Sequence, residues 1–93
     1  MERKYRNITI DLDTLIAHRN GKIIDLTFTE LKMLNYLIKH KGVSISRNTL
    51  LNVCCHYKQS KIRNVDVHIR RLRKKLKPGD YIKTVGREGY IIF

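Results

Sequence analysis

The spacing of apolar residues changes along this chain and predicts where strands give way to helices. Near the N-terminus, apolar and polar residues alternate in ITIDLD, LIAHR and KIIDL, a period of two that is typical of half-buried strands. Asn20-Gly21 lies between the last two runs, and this dipeptide favours a type I′ hairpin turn because it accepts positive φ at both positions. The pattern therefore predicts a small antiparallel sheet of three strands.

A helical period follows the strands. From Leu26 onward, in TFTELKMLNYLIKHKG, apolar residues recur about every 3.6 positions, which predicts an amphipathic helix. Thr27 and Glu30 have the spacing of a capping box, in which each side chain accepts a hydrogen bond from the other residue's backbone N–H. Lys39 suits the negative end of the helix, and Gly42 can take the left-handed position beyond it. The first helix is therefore predicted between Thr27 and Gly42.

Two more helices and a hairpin complete the pattern. A second helix is predicted from Ser46, in SRNTLLNVCCH, and the stretch YKQSK is typical of a loop. A third helix is predicted from near Ser60 to Lys77, where Pro78-Gly79 stops it, and YIKTVGREGYIIF predicts two strands joined by a turn. The order β-β-β-α-α-α-β-β describes an α+β fold. It predicts a winged helix-turn-helix with an N-terminal antiparallel sheet, a three-helix core and a C-terminal β-hairpin wing.

The third predicted helix has two distinct faces. At 100° per residue, its apolar side chains fall within a sector of about 80°, wide enough to bury the helix against the other two. This apolar stripe consists of Ile62, Val65, Ile69, Leu72 and Leu76. The opposite face carries Arg63, Val67, Arg70, Arg71 and Lys74, with Asn64, His68 and Lys75 on one flank and Asp66 and Arg73 on the other. The stripe predicts a core contact, which leaves the basic face to solvent or to a partner.

The charge balance of this helix favours a partner. Between Ser60 and Lys77 there are eight Lys and Arg residues and one acidic residue, so the i,i+4 pairs of opposite sign that stabilise a solvated helix are scarce. The acidic residue, Asp66, lies within i,i+4 reach of Arg70, and we expect it to orient that guanidinium. A solvated face is the alternative for any basic helix. Here the density of like charge indicates an anionic partner that neutralises it.

Individual positions on the basic face suit the major groove of DNA. Arg71 and Val67 are predicted to read bases, because Arg pairs with guanine and a small branched side chain can contact a thymine methyl group. Arg63 and Lys74 are better placed to contact phosphates, which fix the register of a protein on DNA without reading sequence. The helix is therefore predicted to combine both kinds of contact.

The composition of the whole chain supports a polyanionic partner. The 93 residues suit one domain, residues 1–93, with a formal net charge of +12 and a pI of about 10.1. Nucleic acid is the first candidate, ahead of an anionic membrane or an acidic protein. The sequence has neither an apolar run of about 20 residues nor a secretory signal. The adjacent Cys54 and Cys55 cannot bridge without distorting a helix, so we expect a soluble, reducing, cytoplasmic setting without membrane contact.

The sequence offers little for catalysis, cofactors or metal ions. It has no glycine-rich phosphate loop, and its histidines lack a metal-ligand spacing. These histidines are His18, His40, His56 and His68. We therefore predict no enzyme activity, no cofactor and no metal site. A basic RNA- or ribosome-associated winged-helix protein remains an open alternative, as does a winged helix that binds only proteins.

Taken together, these segments resemble a known family. NVDVHIRRLRKKL, followed by YIKTVGREGYIIF and preceded by LTFTELKMLNYLIKHKG and SRNTLLNV, is similar to the C-terminal DNA-binding domain of OmpR/PhoB-type response regulators of bacterial two-component systems. The likeness extends from ITIDL to GYIIF. It implies a four-stranded N-terminal sheet, a three-helix core and a wing, with sequence-specific binding of double-stranded DNA and regulation of transcription as the function.

The resemblance also implies how the domain meets its partners. The third helix, about residues 60–77, would enter the major groove, and the wing, residues 81–93, would lie near the minor groove. Two copies would bind head-to-tail on direct repeats, and the loop at about residues 56–61 would contact RNA polymerase. With the family's positions added to the helix face, the predicted DNA-binding residues are Arg63, Asn64, Val67, His68, Arg70, Arg71, Lys74, Thr84 and Arg87.

This sequence departs from the family pattern in three ways, one of which is the short connection KPGDYIK between the third helix and the wing. The family's wing usually contains TVRGxGY, whereas TVGREGY here moves the arginine one position later, to Arg87, and places Glu88 beside it. Cys54 occupies the position where a tryptophan commonly ends the second helix in the family. Separately, Tyr90 is expected to anchor the wing to the core. Full-length members also carry an N-terminal receiver domain with a phosphorylatable aspartate, which 93 residues cannot contain. We therefore expect an excised effector domain or a stand-alone regulator.

Overall fold

Four strands, three helices and a hairpin follow one another in the part of the chain that the computed structural model describes, residues 2–54, 62–77 and 81–93. They are β1 (Glu2–Tyr5), β2 (Ile8–Asp11), β3 (Ile16–Arg19), β4 (Lys22–Ile24), α1 (Phe28–Lys39), α2 (Arg47–Cys54), α3 (Ile62–Lys75), β5 (Ile82–Val85) and β6 (Gly89–Ile92). The first four strands form an antiparallel sheet in sequence order, and β5 pairs with β6 in a second sheet. This is the predicted winged-helix architecture.

Strand β1 is the element that the alternation of apolar residues did not predict. The residue pattern alone indicated three N-terminal strands, whereas the resemblance implied four, and β1 pairs antiparallel with β2. On the inward side of β1, Tyr5 is buried, but the neighbouring inward residue is Arg3, whose Nε donates to Asn35 Oδ1 of α1 at 2.8 Å. Because a charged side chain occupies an inward position, β1 lacks the alternation that marks the other strands.

The N-terminus of α1 has the predicted capping box. Thr27 Oγ1 accepts a hydrogen bond from the Glu30 N–H at 3.2 Å, and Glu30 Oε1 accepts one from the Thr27 N–H at 2.8 Å. The helix ends at Lys39, and Gly42 adopts a φ of +86°, the left-handed conformation expected beyond the helix. The predicted start and end of this helix are therefore confirmed.

Helices α2 and α3 also lie where the sequence predicted them. Ser46 precedes α2, and its Oγ accepts from the Thr49 N–H at 3.0 Å, which satisfies a free donor at the start of the helix. Leu50 and Cys54 of α2 are buried, whereas Leu51 is only partly buried. The predicted loop at residues 56–61, the helix start near Ser60, Cys55 and the Pro78-Gly79 stop lie outside the described residues.

The apolar stripe of α3 lies at the centre of the core. Val65, Ile69 and Leu72 are fully buried, and Leu76 is almost so. The cluster they join includes residues from the N-terminal sheet, α1, α2 and the wing, among them Ile10, Leu34, Leu50 and Ile92. Packing on this side fixes the orientation of α3 about its axis, so that its opposite side faces solvent.

The wing is joined to the helical core along β6. The Ile45 N–H donates to Tyr90 O at 2.8 Å, and the Tyr90 N–H donates to Ile45 O at 3.0 Å. The Gly42 N–H also donates to Ile92 O at 2.7 Å, and all four residues of β6 are buried. These contacts confirm that Tyr90 anchors the wing to the core, and they make β6 an integral part of the domain.

Candidate nucleic-acid interface

The face of α3 opposite the core is exposed and positively charged. Arg70, Arg71 and Lys74 are exposed, and none of them forms an ion pair with a carboxylate of the described residues. Val67 lies one turn before Arg70 and Arg71 and is half-buried. Arg63 belongs to the first turn of α3, but its side chain lies outside the described part of the chain. The structure thus brings four of the predicted helix residues onto one surface.

Asp66 does not orient Arg70, and that prediction was wrong. Its Oδ1 accepts hydrogen bonds from Arg47 Nε at 2.8 Å and from the Tyr90 hydroxyl. The prediction considered only partners within the helix, whereas this flank of α3 faces α2 and β6. Burial opposes ionisation of Asp66, but the hydrogen bonds from Tyr90 and Arg47 outweigh it and hold the pKa of the carboxyl below its ordinary value. Asp66 is therefore a carboxylate that joins three elements.

Arg73, on the same flank, connects α3 to the wing. Its Nη2 donates to Thr84 Oγ1 at 2.7 Å and its Nε to Ile82 O at 3.3 Å. Its guanidinium lies 5.3 Å from the centre of the Tyr90 ring, and the Arg47 guanidinium lies 5.0 Å from the same centre. Thr84, one of the predicted DNA-binding residues, is therefore held next to α3.

The tip of the wing presents Arg87 to solvent. Arg87 lies in the turn between β5 and β6, where Gly86 has a φ of +49° and the Glu88 N–H donates to Val85 O at 2.8 Å. Both Arg87 and Glu88 are exposed. The turn therefore carries one positive and one negative side chain, as the departure from the family's wing pattern predicted.

The other flank of α3 contacts a buried carboxylate. Glu30 of α1 is fully buried, and Lys75 Nζ donates to its Oε1 at 2.6 Å. Burial opposes ionisation of Glu30, but the hydrogen bonds from Lys75 and Thr27 outweigh it, so the pKa of Glu30 is lowered. Lys75 thus holds α3 to α1, in contrast to the unpaired cations on the outward face.

His68 lies on this same flank and is half-buried. Burial lowers the pKa of its imidazole, the nearby charge of Arg71 lowers it further, and Glu30 opposes the change. The lowered pKa favours the neutral imidazole, which has one donor and one acceptor nitrogen. In this state His68 adds no charge to the basic face, but it can form directional hydrogen bonds to a base edge or a phosphate.

Arg47 is the functional-site residue that the sequence analysis missed. It is the first residue of α2, where the positive end of the helix dipole disfavours a cation. Such a residue calls for a specific acidic partner, and Asp66 supplies it across 19 positions of sequence. The hydrogen bond also raises the pKa of Arg47 above its ordinary value. The sequence signal that could have identified Arg47 was therefore a cation at the helix terminus where positive charge is unfavourable.

The described residues form neither a metal-ligand cluster nor a membrane-spanning helix. None of their His, Cys, Asp and Glu side chains converge in groups of three or more that could hold a metal ion. Within the same ranges, no helix has the length and apolar character needed to cross a bilayer. The basic face of α3 and the adjoining wing together form the candidate nucleic-acid interface.

Comparison with known proteins identifies the family to which this architecture belongs. Residues 21–92 match the family described as transcriptional regulatory protein, C terminal. The chain belongs to this family. It is a C-terminal effector domain of the OmpR/PhoB response-regulator type, a class of transcriptional regulators and not of enzymes. The response regulator ArlR of Staphylococcus aureus is 42% identical, with 91% of this chain and 41% of ArlR covered. The effector domain thus spans less than half the length of that relative.

Solved structures agree with the family assignment. The AdeR DNA-binding domain, in complex with an intercistronic region, is 31% identical with a TM-score of 0.90, and 97% of each chain is covered. The Klebsiella pneumoniae RstA DNA-binding domain, in complex with the RstA box, is 32% identical with a TM-score of 0.85, covering 98% of this effector domain and 95% of RstA's. Both likenesses extend over the N-terminal sheet, the helices and the wing.

Proposed function

We propose that this chain binds double-stranded DNA sequence-specifically, as the effector domain of a two-component transcriptional response regulator. In this proposal α3 enters the major groove, and the wing, residues 81–93, lies near the minor groove. The major groove of B-DNA is about 12 Å wide and admits an α-helix. A helix whose apolar side is buried, and whose opposite side is cationic, has the polarity that this placement requires.

The observation that carries the proposal is the unpaired positive charge on the outward face of α3. Arg70, Arg71 and Lys74 are exposed without a carboxylate partner among the described residues, whereas Arg47 and Lys75, elsewhere on the domain, are paired with acids. Like charges in one patch oppose folding, and phosphates would neutralise them. The DNA complexes of AdeR and RstA, which share this fold, support the same assignment.

Most of the predicted residues take a specific role in this proposal. Arg71 and Val67 read base edges, and His68 hydrogen-bonds at or near them. Lys74 and Thr84 contact phosphates, and Arg87 reaches the minor groove from the tip of the wing. Arg63 is also proposed to contact a phosphate, and the remaining proposed contacts are Asn64 and Arg70. Thr84 Oγ1 already accepts a hydrogen bond from Arg73, so its own proton is available to donate to a phosphate oxygen.

Selection of bound sites from a random duplex pool, followed by a salt titration, tests the function. If five phosphates are neutralised per domain, log Kobs should fall against log[salt] with a slope of about −4.5. The selected site should also outcompete random DNA at physiological salt, because base contacts add affinity that phosphate contacts alone do not supply. Equal affinity for random duplex, or a preference for RNA of the same length, would reject the proposal.

Substitutions on α3 separate readers of sequence from phosphate contacts. Arg71→Ala should cost about 1–3 kcal/mol of binding to the selected site and relax the preference at one base pair. Lys74→Ala should weaken selected and random sequences by the same factor and make the salt slope shallower by about one. Fluorescence anisotropy with matched duplexes measures both effects. If Arg71→Ala weakened binding to the selected and random sequences by the same factor, Arg71 would not be a residue that reads bases.

The wider assembly is also part of the proposal. Because the chain covers 41% of ArlR, we propose that residues 1–93 form a single effector domain that a receiver domain would control. Two copies would bind head-to-tail on direct repeats, and RNA polymerase would contact the loop at about residues 56–61, which lies outside the described residues. The spacing of repeats in the selected DNA distinguishes a head-to-tail pair from a symmetric one, which would require an inverted repeat.

A further inference from the structure

We propose that Asp66 is a positioning residue that sets the wing relative to α3, so that this acid on a basic surface increases DNA affinity. The inference rests on the proposed function and adds a role that the DNA-contacting residues do not include. It concerns a group of side chains from α2, α3, β5 and β6. This group, the Asp66 cluster, consists of Arg47, Asp66, Arg73, Thr84 and Tyr90.

The contacts of the cluster meet at the Asp66 carboxylate and the Tyr90 ring. Asp66 Oδ1 accepts from Arg47 Nε at 2.8 Å and from the Tyr90 hydroxyl, so one oxygen holds α2 and β6 to α3. The guanidinium groups of Arg47 and Arg73 lie 5.0 and 5.3 Å from the centre of the Tyr90 ring. A displacement of Tyr90 would therefore disturb both arginines.

These arginines hold the part of the wing that is proposed to meet DNA. Arg73 donates to Thr84 Oγ1 at 2.7 Å and to Ile82 O at 3.3 Å, both on β5. Arg47 Nη1 approaches Gly86 O in the turn at 3.4 Å. The backbone bridge between Ile45 and Tyr90, by contrast, holds β6 to the core without these side chains. Loss of the Asp66 carboxylate is therefore expected to leave β5 paired with β6 and the wing attached to the core, while the turn and Thr84 are held less firmly relative to α3.

The charge of Asp66 alone predicts that its loss strengthens DNA binding, the opposite of what a positioning role predicts. Asp66 is the one acidic residue in α3, and removing a negative charge from a surface that faces phosphates should strengthen binding. Positioning predicts weaker binding, because Thr84 and Arg87 would then have to be ordered when DNA binds. The two explanations differ in the sign of the result, which makes the residue informative.

The experiment compares Asp66→Ala with Asp25→Ala in the whole chain, on the duplex recovered from the random pool. Asp25 is exposed and outside the Asp66 cluster, so its replacement makes the same charge change without touching the wing. Asp66→Ala should raise Kd about tenfold, the effect of losing one or two hydrogen-bonded contacts, whereas Asp25→Ala should leave it unchanged or lower it. Tyr90→Phe retains the ring but removes the hydroxyl that donates to Asp66, so it should also weaken binding. This variant tests the same contact if Asp66→Ala does not fold.

A wing-specific measurement distinguishes positioning from a general structural loss. Hydroxyl-radical protection of the minor groove should decrease in Asp66→Ala, while protection of guanine N7 in the major groove by α3 persists. In a Thr84→Ala, Arg87→Ala background, adding Asp66→Ala should change Kd less than twofold, because the wing contacts are already absent. Tighter binding by Asp66→Ala, or an undiminished loss in that background, would overturn the inference. Failure of the unaltered chain to prefer its selected duplex would instead reject the proposed function.

Discussion

Replacing Lys75 with Met is expected to lower the free energy of unfolding by about 2–3 kcal/mol at pH 7. Removing one partner of a buried ion pair costs about 3–5 kcal/mol because it leaves an uncompensated buried charge. Here the Glu30 side chain is 1% exposed and the Lys75 side chain 35%, so water screens the pair on one side and reduces the cost. The aliphatic part of Met retains most of the packing of the lysine stem, which isolates the electrostatic contribution.

The pH dependence of this variant follows from the lowered pKa of Glu30. A carboxyl whose pKa is lower in the folded state stabilises the fold above its ordinary pKa of 4.5, and this contribution is lost as the pH falls through the folded value. In Lys75→Met the pKa of Glu30 should rise, since burial then acts without the opposing lysine. The stability difference between the two proteins should therefore shrink as the pH falls from the raised pKa of Glu30 in the variant to its lowered pKa in the unaltered chain.

Urea unfolding at several pH values measures this effect, and Lys74→Met is the matched control. Lys74 is the preceding residue of α3, is exposed, and undergoes the same chemical change. Its replacement should alter stability by no more than about 0.5 kcal/mol. Equal losses from the two variants, or a difference that does not change with pH, would contradict a role for the Glu30–Lys75 pair in holding α3 to α1.

Gly89→Ala is expected to destabilise the domain by about 3 kcal/mol or more. Gly89 has a φ of +137°, a conformation that residues with a Cβ rarely adopt, and a Cβ placed there would lie 2.0 Å from Ile45 O. Ile45 O also accepts the hydrogen bond from the Tyr90 N–H. Relieving the clash requires the wing to move away from Ile45, which adds the loss of the bridge to the backbone strain.

Gly86→Ala supplies the control for this substitution. Gly86 also has a positive φ, +49°, but nothing lies within 4 Å of the position of its Cβ. Backbone strain alone should cost about 1–2 kcal/mol there. Thermal unfolding of the two variants distinguishes the cost of the clash with Ile45 from the cost of the positive φ. If Gly86→Ala is as destabilising as Gly89→Ala, contact with Ile45 is not the reason for glycine at residue 89.

The elements that the sequence predicted well are those in which one local rule decides the structure. The capping box at Thr27 and Glu30 depends on residues three positions apart, and the structure contains it. The buried stripe of α3 depends on helical periodicity, and Val65, Ile69, Leu72 and Leu76 are all buried. Hydrophobic periodicity did not predict strand β1, because the inward position that would carry an apolar residue is occupied by Arg3, which hydrogen-bonds to Asn35.

Long-range pairing explains what the sequence could not reveal about the candidate site. The interpretation of Asp66 failed because its partners, Arg47 and Tyr90, lie 19 and 24 positions away on other elements. Glu30 was correctly placed in its capping box, yet its ion pair with Lys75 spans 45 positions. Helical periodicity assigns a side chain to a face but does not identify which neighbour that face meets. The outward position of Arg71 could therefore be predicted, and the paired roles of Arg47 and Lys75 could not.

The contact between Tyr5 and Phe93 affects when this domain can acquire its structure during synthesis. The Tyr5 hydroxyl donates to Phe93 O, and Ile92, fully buried, belongs to the same core as Ile8 of the N-terminal sheet. A ribosome therefore makes the first strands long before it makes the segment they pack against. Because such distant contacts cannot form until residues 90–93 have left the exit tunnel, the core closes after translation of the wing. The proposed DNA-binding surface, which includes the wing, cannot be complete before then.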